Sequence, residues 1–185
     1  MALALRLARA IDATNALIGR LAAWLVLAAV VISAGNALSR RMFSLSSNAW
    51  LEVQWYLFGA VFLLGASWTL RRNEHVRIDI LASRFSKGAR DRLDLVGHAL
   101  FLIPFALVHV VLAVPFFLLS WRTGEMSANA GGLPLWPAKL LVLVGFAMLL
   151  AQGVSEFVKR LAIVTGRLAD EADETVPHPA TRREP

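Results

Sequence analysis

The fold of this chain is decided by one stretch, Asn48 to Ile80, which reads NAWLEVQWYLFGAVFLLGASWTLRRNEHVRIDI. Its first part, Ala49 to Leu70, is almost wholly apolar. It is long enough to cross a membrane, because the hydrocarbon core of a bilayer needs about 20 helical residues. Its second part, Arg71 to Ile80, is a mostly basic loop. An apolar span that ends in Arg-Arg is typical of a helix that leaves the membrane on its cytoplasmic side.

The composition of the whole chain agrees with a membrane protein of one domain. The chain has 185 residues, of which 57% are hydrophobic, and its mean hydropathy is +0.60, whereas soluble domains are about 45–50% apolar. It has no cysteine, which excludes disulfides, thiolate metal sites and thiol nucleophiles. The net charge of +6 would suggest nucleic acid in a soluble protein. Here the cations flank apolar runs, so we expect membrane lipids as partners and no nucleic acid.

Four apolar runs predict an all-α membrane protein with four transmembrane helices and short interfacial helices. The predicted spans are residues 16–38, 49–70, 95–121 and 140–158, within a membrane domain 1–166. The third run is longer than a bilayer requires, so we expect it to tilt, or to kink at Pro104 or Pro115. The hydrophilic tail 167–185 is predicted to be disordered and cytoplasmic.

The first 20 residues read MALALRLARAIDATNALIGR and predict a short interfacial helix that leads into the first span. A cleaved signal peptide is the alternative. The apolar run Leu21 to Leu38 exceeds the ~7–15 residues of a secretory signal, so an uncleaved anchor is favoured.

The distribution of the 19 Lys and Arg residues predicts the topology. All but four lie near the two termini or in the loop after the second span. The exceptions are Arg40, Arg41, Arg122 and Lys139. Short loops on the cytoplasmic side of a membrane carry an excess of Lys and Arg, so both termini are predicted to be cytoplasmic. Within the basic loop, His75 to Ile80 alternates polar and apolar residues, which predicts a short extended segment on the surface.

The unusual polar residues of the spans are Glu52, His98 and His109. As a functional group, Glu52 would be a buried carboxylate that pairs with a partner chain, carries a proton or contacts a cation. Alternatively it lies near the outer headgroups, hydrated or paired with a cation such as Arg40. The two histidines share nearly one face of a helix but lie ~16 Å apart, so they cannot clamp one haem. A histidine hydrogen-bonded between helices is the favoured interpretation.

The sequence shows no spaced metal-ligand cluster, no phosphate-binding glycine loop, no pair of nucleophile and base, and no row of intramembrane charges. We therefore expect no enzyme, no metal and no cofactor on this chain. This pattern favours a scaffold over a pump.

Two motifs carry a resemblance to a known family. The first is EVQWY at residues 52–56 followed by LGASWTLRRNEHVRID at 64–79, and the second is GLPLWPAK at 132–139. With them the chain resembles, over about residues 10–165, the small four-helix membrane subunit of tripartite ATP-independent periplasmic (TRAP) transporters, the DctQ-like family.

The resemblance implies a role in transport across the inner membrane of a bacterium. The small subunit would pack against a larger membrane subunit that holds the substrate and sodium sites and moves like an elevator. A periplasmic binding protein would deliver the substrate, usually an organic acid, for symport with sodium. The substrate sites would lie on those partners, so this chain does not identify the substrate.

The resemblance also suggests which residues matter. Those expected to shape the subunit and its contact with the large subunit are Glu52, Gln54, Trp55, Tyr56, Arg71, Arg72, His75, Arg77 and Asp79. The charge distribution adds Arg40, Arg41 and Arg122 as candidates to meet an acidic patch on the binding protein.

Two other functions compete with this one. A haem or quinone membrane-anchor subunit would show a Soret band, and a stand-alone small transporter would move substrate without a partner.

Overall fold

A computed structural model describes residues 2–44, 47–72 and 86–167. This part of the chain contains four helices, α1 (Ala2–Phe43), α2 (Asn48–Arg71), α3 (Lys87–Thr123) and α4 (Trp136–Val164). Each is long and apolar enough to cross a membrane, which confirms the predicted all-α fold with four spans. The extended segment predicted at His75 to Ile80 and the tail 168–185 lie outside the described residues. The cytoplasmic placement of the termini stays a prediction.

Helix α1 contains both the leader and the first predicted span. The leader expected to form an interfacial helix and the first span are one continuous helix from Ala2 to Phe43, without a break at Arg20. No proline interrupts this stretch, and alanine and leucine, which are strong helix formers, dominate it. At 1.5 Å per residue the helix is about 63 Å long, whereas a bilayer with its headgroups is about 40–45 Å thick. Part of α1 therefore lies beyond the hydrocarbon core.

The helices pack as a bundle in which successive helices alternate in direction, with small residues at their contacts. Helix α1 packs against α2 and α4, α2 packs against α4, and α3 packs against α4. In a membrane, helices gain little from hiding apolar surface, so small residues that let backbones approach closely dominate the contacts. Large side chains such as Trp24 and Phe62 (76% exposed) point outward. The buried apolar residues are Ala8, Ala16, Ala22, Ala29, Ala60, Ala106, Ala113 and Ala162.

Helix α3 is irregular next to Pro104. Residues His98–Leu102 form a π-helical turn, and Pro104 follows in the first turn of regular helix. Proline has no N–H to donate to the preceding turn, so the local irregularity expected there takes the form of a wider turn. The helix continues through Pro115.

The two ends of the bundle differ in what they contain. One end, which we call the terminal end, holds the start of α1, the end of α2, the start of α3 and the end of α4. The other, which we call the loop end, holds the connection from α1 to α2 and the loop 124–135 between α3 and α4.

Gly19 allows the closest approach between α1 and α2. A Cβ atom built at Gly19 would lie 2.6 Å from the Cβ of Trp68. Real Cβ atoms do not come this close, and Trp68 Cβ is fixed to its backbone, so a side chain at position 19 forces the two helices apart.

We expect Gly19→Ala to lower the thermal midpoint of the purified chain in detergent. The overpacking should cost about 1–3 kcal/mol, which outweighs the ~1 kcal/mol gain in helix propensity. Gly35→Ala is the matched control, because the same substitution there, on the same helix, meets no atom within 4 Å. Gly35→Ala should leave the midpoint unchanged or raise it. A lower midpoint for Gly35→Ala than for Gly19→Ala would contradict the assigned contact.

Candidate functional site

The carboxylate of Glu52 holds the loop 124–135 against α2. Its Oε1 accepts hydrogen bonds from Ser127 Oγ and from Asn129 Nδ2, the latter at 2.8 Å, and its Oε2 accepts one from the backbone N–H of Leu133 at 2.7 Å. The residue is only 2% exposed. Its partners are therefore groups of this loop rather than Arg40 or bulk water. A buried carboxylate needs such donors, because an unsatisfied charge would be costly at this depth.

Two more residues of α2 hold the same loop. Tyr56 donates its hydroxyl hydrogen to the carbonyl oxygen of Pro134 at 2.8 Å, and Asn48 Nδ2 donates to the carbonyl oxygen of Ala130 at 2.9 Å. Asn48, Glu52 and Tyr56 are four residues apart, so they lie on one face of α2. We call these three residues with the loop 124–135 the loop clasp.

The loop itself is folded back into a compact turn. Met126 and Pro134 form an isolated antiparallel bridge, and the N–H of Ser127 donates to the carbonyl oxygen of Leu133 at 2.9 Å. Gly132 has no room for a side chain, because a Cβ there would lie 2.6 Å from Ser127 Cβ and 2.9 Å from Glu52 Oε1. The motif GLPLWPAK thus begins at a residue that must be small for Glu52 to reach the loop.

An ion pair and two tryptophans complete the loop end. Lys139 Nζ donates a hydrogen bond to Glu125, and it also lies 4.2 Å from the centre of the Phe116 ring. The hydrogen bond from Lys139 lowers the pKa of Glu125, so this carboxylate stays charged at neutral pH. Trp121 and Trp136 pack edge to face with ring centres 4.8 Å apart. Such rings are typical of the membrane interface.

A second buried carboxylate, Asp12, joins α1 to α4 at the terminal end. Its Oδ1 accepts hydrogen bonds from Gln152 Nε2 at 2.8 Å and Ser155 Oγ at 2.9 Å, and its Oδ2 accepts one from Lys159 Nζ at 2.9 Å. Asn15 Nδ2 donates to Gln152 Oε1 at 2.7 Å, and Gln152 is fully buried. We call these residues, together with Glu156, the Asp12 cluster.

Lys159 and Arg160 also pair with the other described acids of this end. Lys159 Nζ lies 2.6 Å from Glu156 Oε1. Arg160 reaches across to α3, where it pairs with Asp91 at 2.8 Å and with Asp94 at 3.5 Å. The start of α3 is thereby tied to the end of α4.

The expected hydrogen bond between helices is not observed for the histidines of α3, because the bond of His109 stays within α3 and the buried His98 Nδ1 has no hydrogen-bond partner in the described part of the chain. His109 Nδ1 is 2.8 Å from the carbonyl oxygen of Phe105, and its ring stacks on Phe146 of α4 with centres 4.3 Å apart. His98 lies in the π-helical turn. Among residues 2–44, 47–72 and 86–167, no group of three or more His, Cys, Asp or Glu side chains could hold a metal ion.

The predicted site residues are spread over both ends and do not form one site. Gln54 donates to the carbonyl oxygen of Trp50, and Trp55 is 64% exposed on the outside of α2. Arg71 and Arg72 are exposed at the other end of α2, about 28 Å from Glu52 by helical rise, and Arg72 lies over the Trp68 ring. His75, Arg77 and Asp79 lie outside the described residues. Arg40, Arg41 and Arg122 are exposed at the loop end.

Analysis of the sequence did not select Asp12 or Asn15. Both lie in the leader, where a charged residue is expected on a solvated face. A signal was nevertheless present, because Ala8, Asp12, Asn15 and Gly19 recur at helical spacing and form a face of small and polar residues. Such a face is typical of a helix contact in a membrane.

Comparison with protein-family models matches residues 29–163 to tripartite ATP-independent periplasmic transporters, DctQ component. Comparisons with curated proteins and with solved structures found no match. The matched region contains the loop clasp and the α4 half of the Asp12 cluster, whereas Asp12 and Asn15 precede it.

We expect Glu52→Gln to release the loop 124–135. The glutamine side chain has one acceptor oxygen and one NH₂ donor, whereas the carboxylate has two acceptor oxygens. At least one of the three loop donors therefore loses its acceptor, which should cost about 1–3 kcal/mol in stability. Amide hydrogen exchange should therefore become roughly tenfold faster or more at Ser127 and Leu133. Gln54→Glu is the control, because it makes the reverse exchange two residues away without touching the loop. Unchanged protection of Leu133 in Glu52→Gln would contradict the assigned role.

Proposed function

Because the chain belongs to the DctQ family of tripartite ATP-independent periplasmic (TRAP) transporter components, we propose that it is the scaffold of such a transporter. In this proposal it pairs with a larger membrane subunit and a periplasmic binding protein to import an organic acid. The larger subunit carries the substrate site and the sodium coupling. This chain takes part in no chemical step, needs no cofactor and lies in a bacterial inner membrane.

The observation that best supports a scaffold is where the polar groups of the described helices lie. They are concentrated in the loop clasp and the Asp12 cluster, at opposite ends of the bundle, and they bind one another there. Between them, residues 57–66 of α2 and 140–151 of α4 are apolar. A path for ions or an organic acid needs polar groups along its length. The geometry therefore favours a rigid support over a conducting subunit.

The loop end supports contact with a periplasmic partner. The loop clasp fixes the loop 124–135 at the rim of the membrane, and Arg40, Arg41 and Arg122 are exposed near it. Exposed charges at the rim of an interface mainly raise the association rate, in a manner that depends on salt. In the proposal these arginines attract an acidic surface of the binding protein.

The outer face of α2 supports contact with the larger subunit. Trp55, Phe58 and Phe62 are all exposed and follow one another at helical spacing. We propose that Trp55 belongs to the interface, together with the basic segment that begins at Arg71 and Arg72. His75, Arg77 and Asp79 of that segment would order the loop for assembly.

We expect an affinity-tagged chain, extracted from native membranes in mild detergent, to bring down a larger multi-span protein in a fixed ratio. Arg77→Ala and Asp79→Ala should reduce that recovery more than they change substrate preference in a transport assay. Arg167→Ala is the control for Arg77→Ala, because it removes the same charge at an exposed position to which the proposal assigns no contact. Recovery of the chain alone, in a detergent that preserves other membrane complexes, would contradict the proposal.

A further inference from the structure

The charges of the terminal end are sorted by sign. The described acids of this end, Asp12, Asp91, Asp94 and Glu156, all face Lys159 or Arg160 of α4. These four acids are buried or half-buried. Acidic and basic residues are interspersed along the sequences of α1 and α3, but the fold places the carboxylates on the faces that contact α4.

Apart from Lys159 and Arg160, the described basic residues of this end remain on the outside. Arg6, Arg9 and Arg20 are exposed on α1, although Asp12 between them is buried. The same sorting recurs on α3, where the neighbours of the buried Asp91 are exposed arginines. We call six of these exposed residues the basic rim: Arg6, Arg9, Arg20, Arg71, Arg90 and Arg92.

Contacts between the helices place the basic rim at the terminal end of the bundle, where it extends about 21 Å along α1 from Arg6 to Arg20. Gly19, next to Arg20, touches Trp68, which lies three residues before Arg71. Asp12 meets Lys159, and Asp91, which lies between Arg90 and Arg92, meets the adjacent Arg160. The apolar runs of α2 and α4 end within this stretch, so part of the rim lies where a bilayer has its headgroups.

Apolar side chains lie beside the rim on α1. Leu3, Leu7, Leu17 and Leu21 are all more than half exposed and share one face of the helix. That face is adjacent to the one that carries Arg6, Arg9 and Arg20. A cationic stripe beside an apolar stripe matches a molecule with an anionic head and acyl chains, and it does not match a free anion.

We propose that the basic rim binds anionic phospholipids, with their phosphates at the arginines and their acyl chains along Leu17 and Leu21 of the leucine face of α1. Each cation near an anionic membrane surface strengthens binding by about fivefold. The proposal concerns this chain alone and does not depend on the subunit role, so either can fail without the other.

The test is native mass spectrometry of the full-length chain, purified in a non-ionic detergent and titrated with phosphatidylglycerol or with phosphatidylcholine of the same acyl chains. The chain should bind phosphatidylglycerol several-fold more tightly. The variant Arg9→Gln/Arg20→Gln/Arg90→Gln should lose at least tenfold in phosphatidylglycerol affinity. Arg40→Gln/Arg41→Gln/Arg122→Gln removes the same charge at the loop end and should stay within about twofold of the unmodified chain.

Three results would overturn the proposal. The first is equal affinity of the unmodified chain for the two lipids, a comparison that needs no variant to fold. The second is an equal loss of phosphatidylglycerol affinity in the two triple variants. The third is release of phosphatidylglycerol by inorganic phosphate at the same concentration, which would show a site for the free anion instead.

Discussion

A polar side chain buried between membrane helices must find its hydrogen-bond partners inside the protein, because lipid offers none. Most of the structure follows from how Glu52 and Asp12 meet this requirement. Glu52 takes its donors from a loop at least 75 residues further along the chain, and Asp12 takes its donors from α4. Each carboxylate therefore fixes elements that are distant in sequence. One secures the loop end and the other the terminal end, while alanine and glycine contacts align the helices between them.

This arrangement would let a bundle of four helices serve as the support that we propose. Few large side chains are buried among the described residues, so dispersion forces in a conventional core contribute little. Hydrogen bonds to charged groups are among the strongest that a protein makes, and here they lie at the two ends, where relative movement of the helices would break them first. Most large apolar side chains of the described helices remain on the outer surface of the bundle.

The spans were predictable because the thickness of the membrane sets the length of an apolar run, and the family could be inferred from the motifs at 52–79 and 132–139. The unusual character of Glu52 was also visible in the sequence. Its partners were not, since nothing local indicates that Ser127, Asn129 and Leu133 fold back onto α2; Arg40, the candidate from the neighbouring sequence, is not among them. Asp12 was missed because a charge in a basic leader is normally solvated, and only the contact with α4 shows otherwise.

The central claim is that the bundle is a fixed support whose loop end keeps one geometry during transport. The chain has no cysteine, so spin labels can be placed at Phe43→Cys and Ala128→Cys without a background. Both positions are exposed, one at the end of α1 and one in the clasped loop. Double electron–electron resonance in the reconstituted transporter should give one narrow distance distribution, unchanged when sodium and substrate are added. A broad distribution, or one that shifts with substrate, would contradict the account.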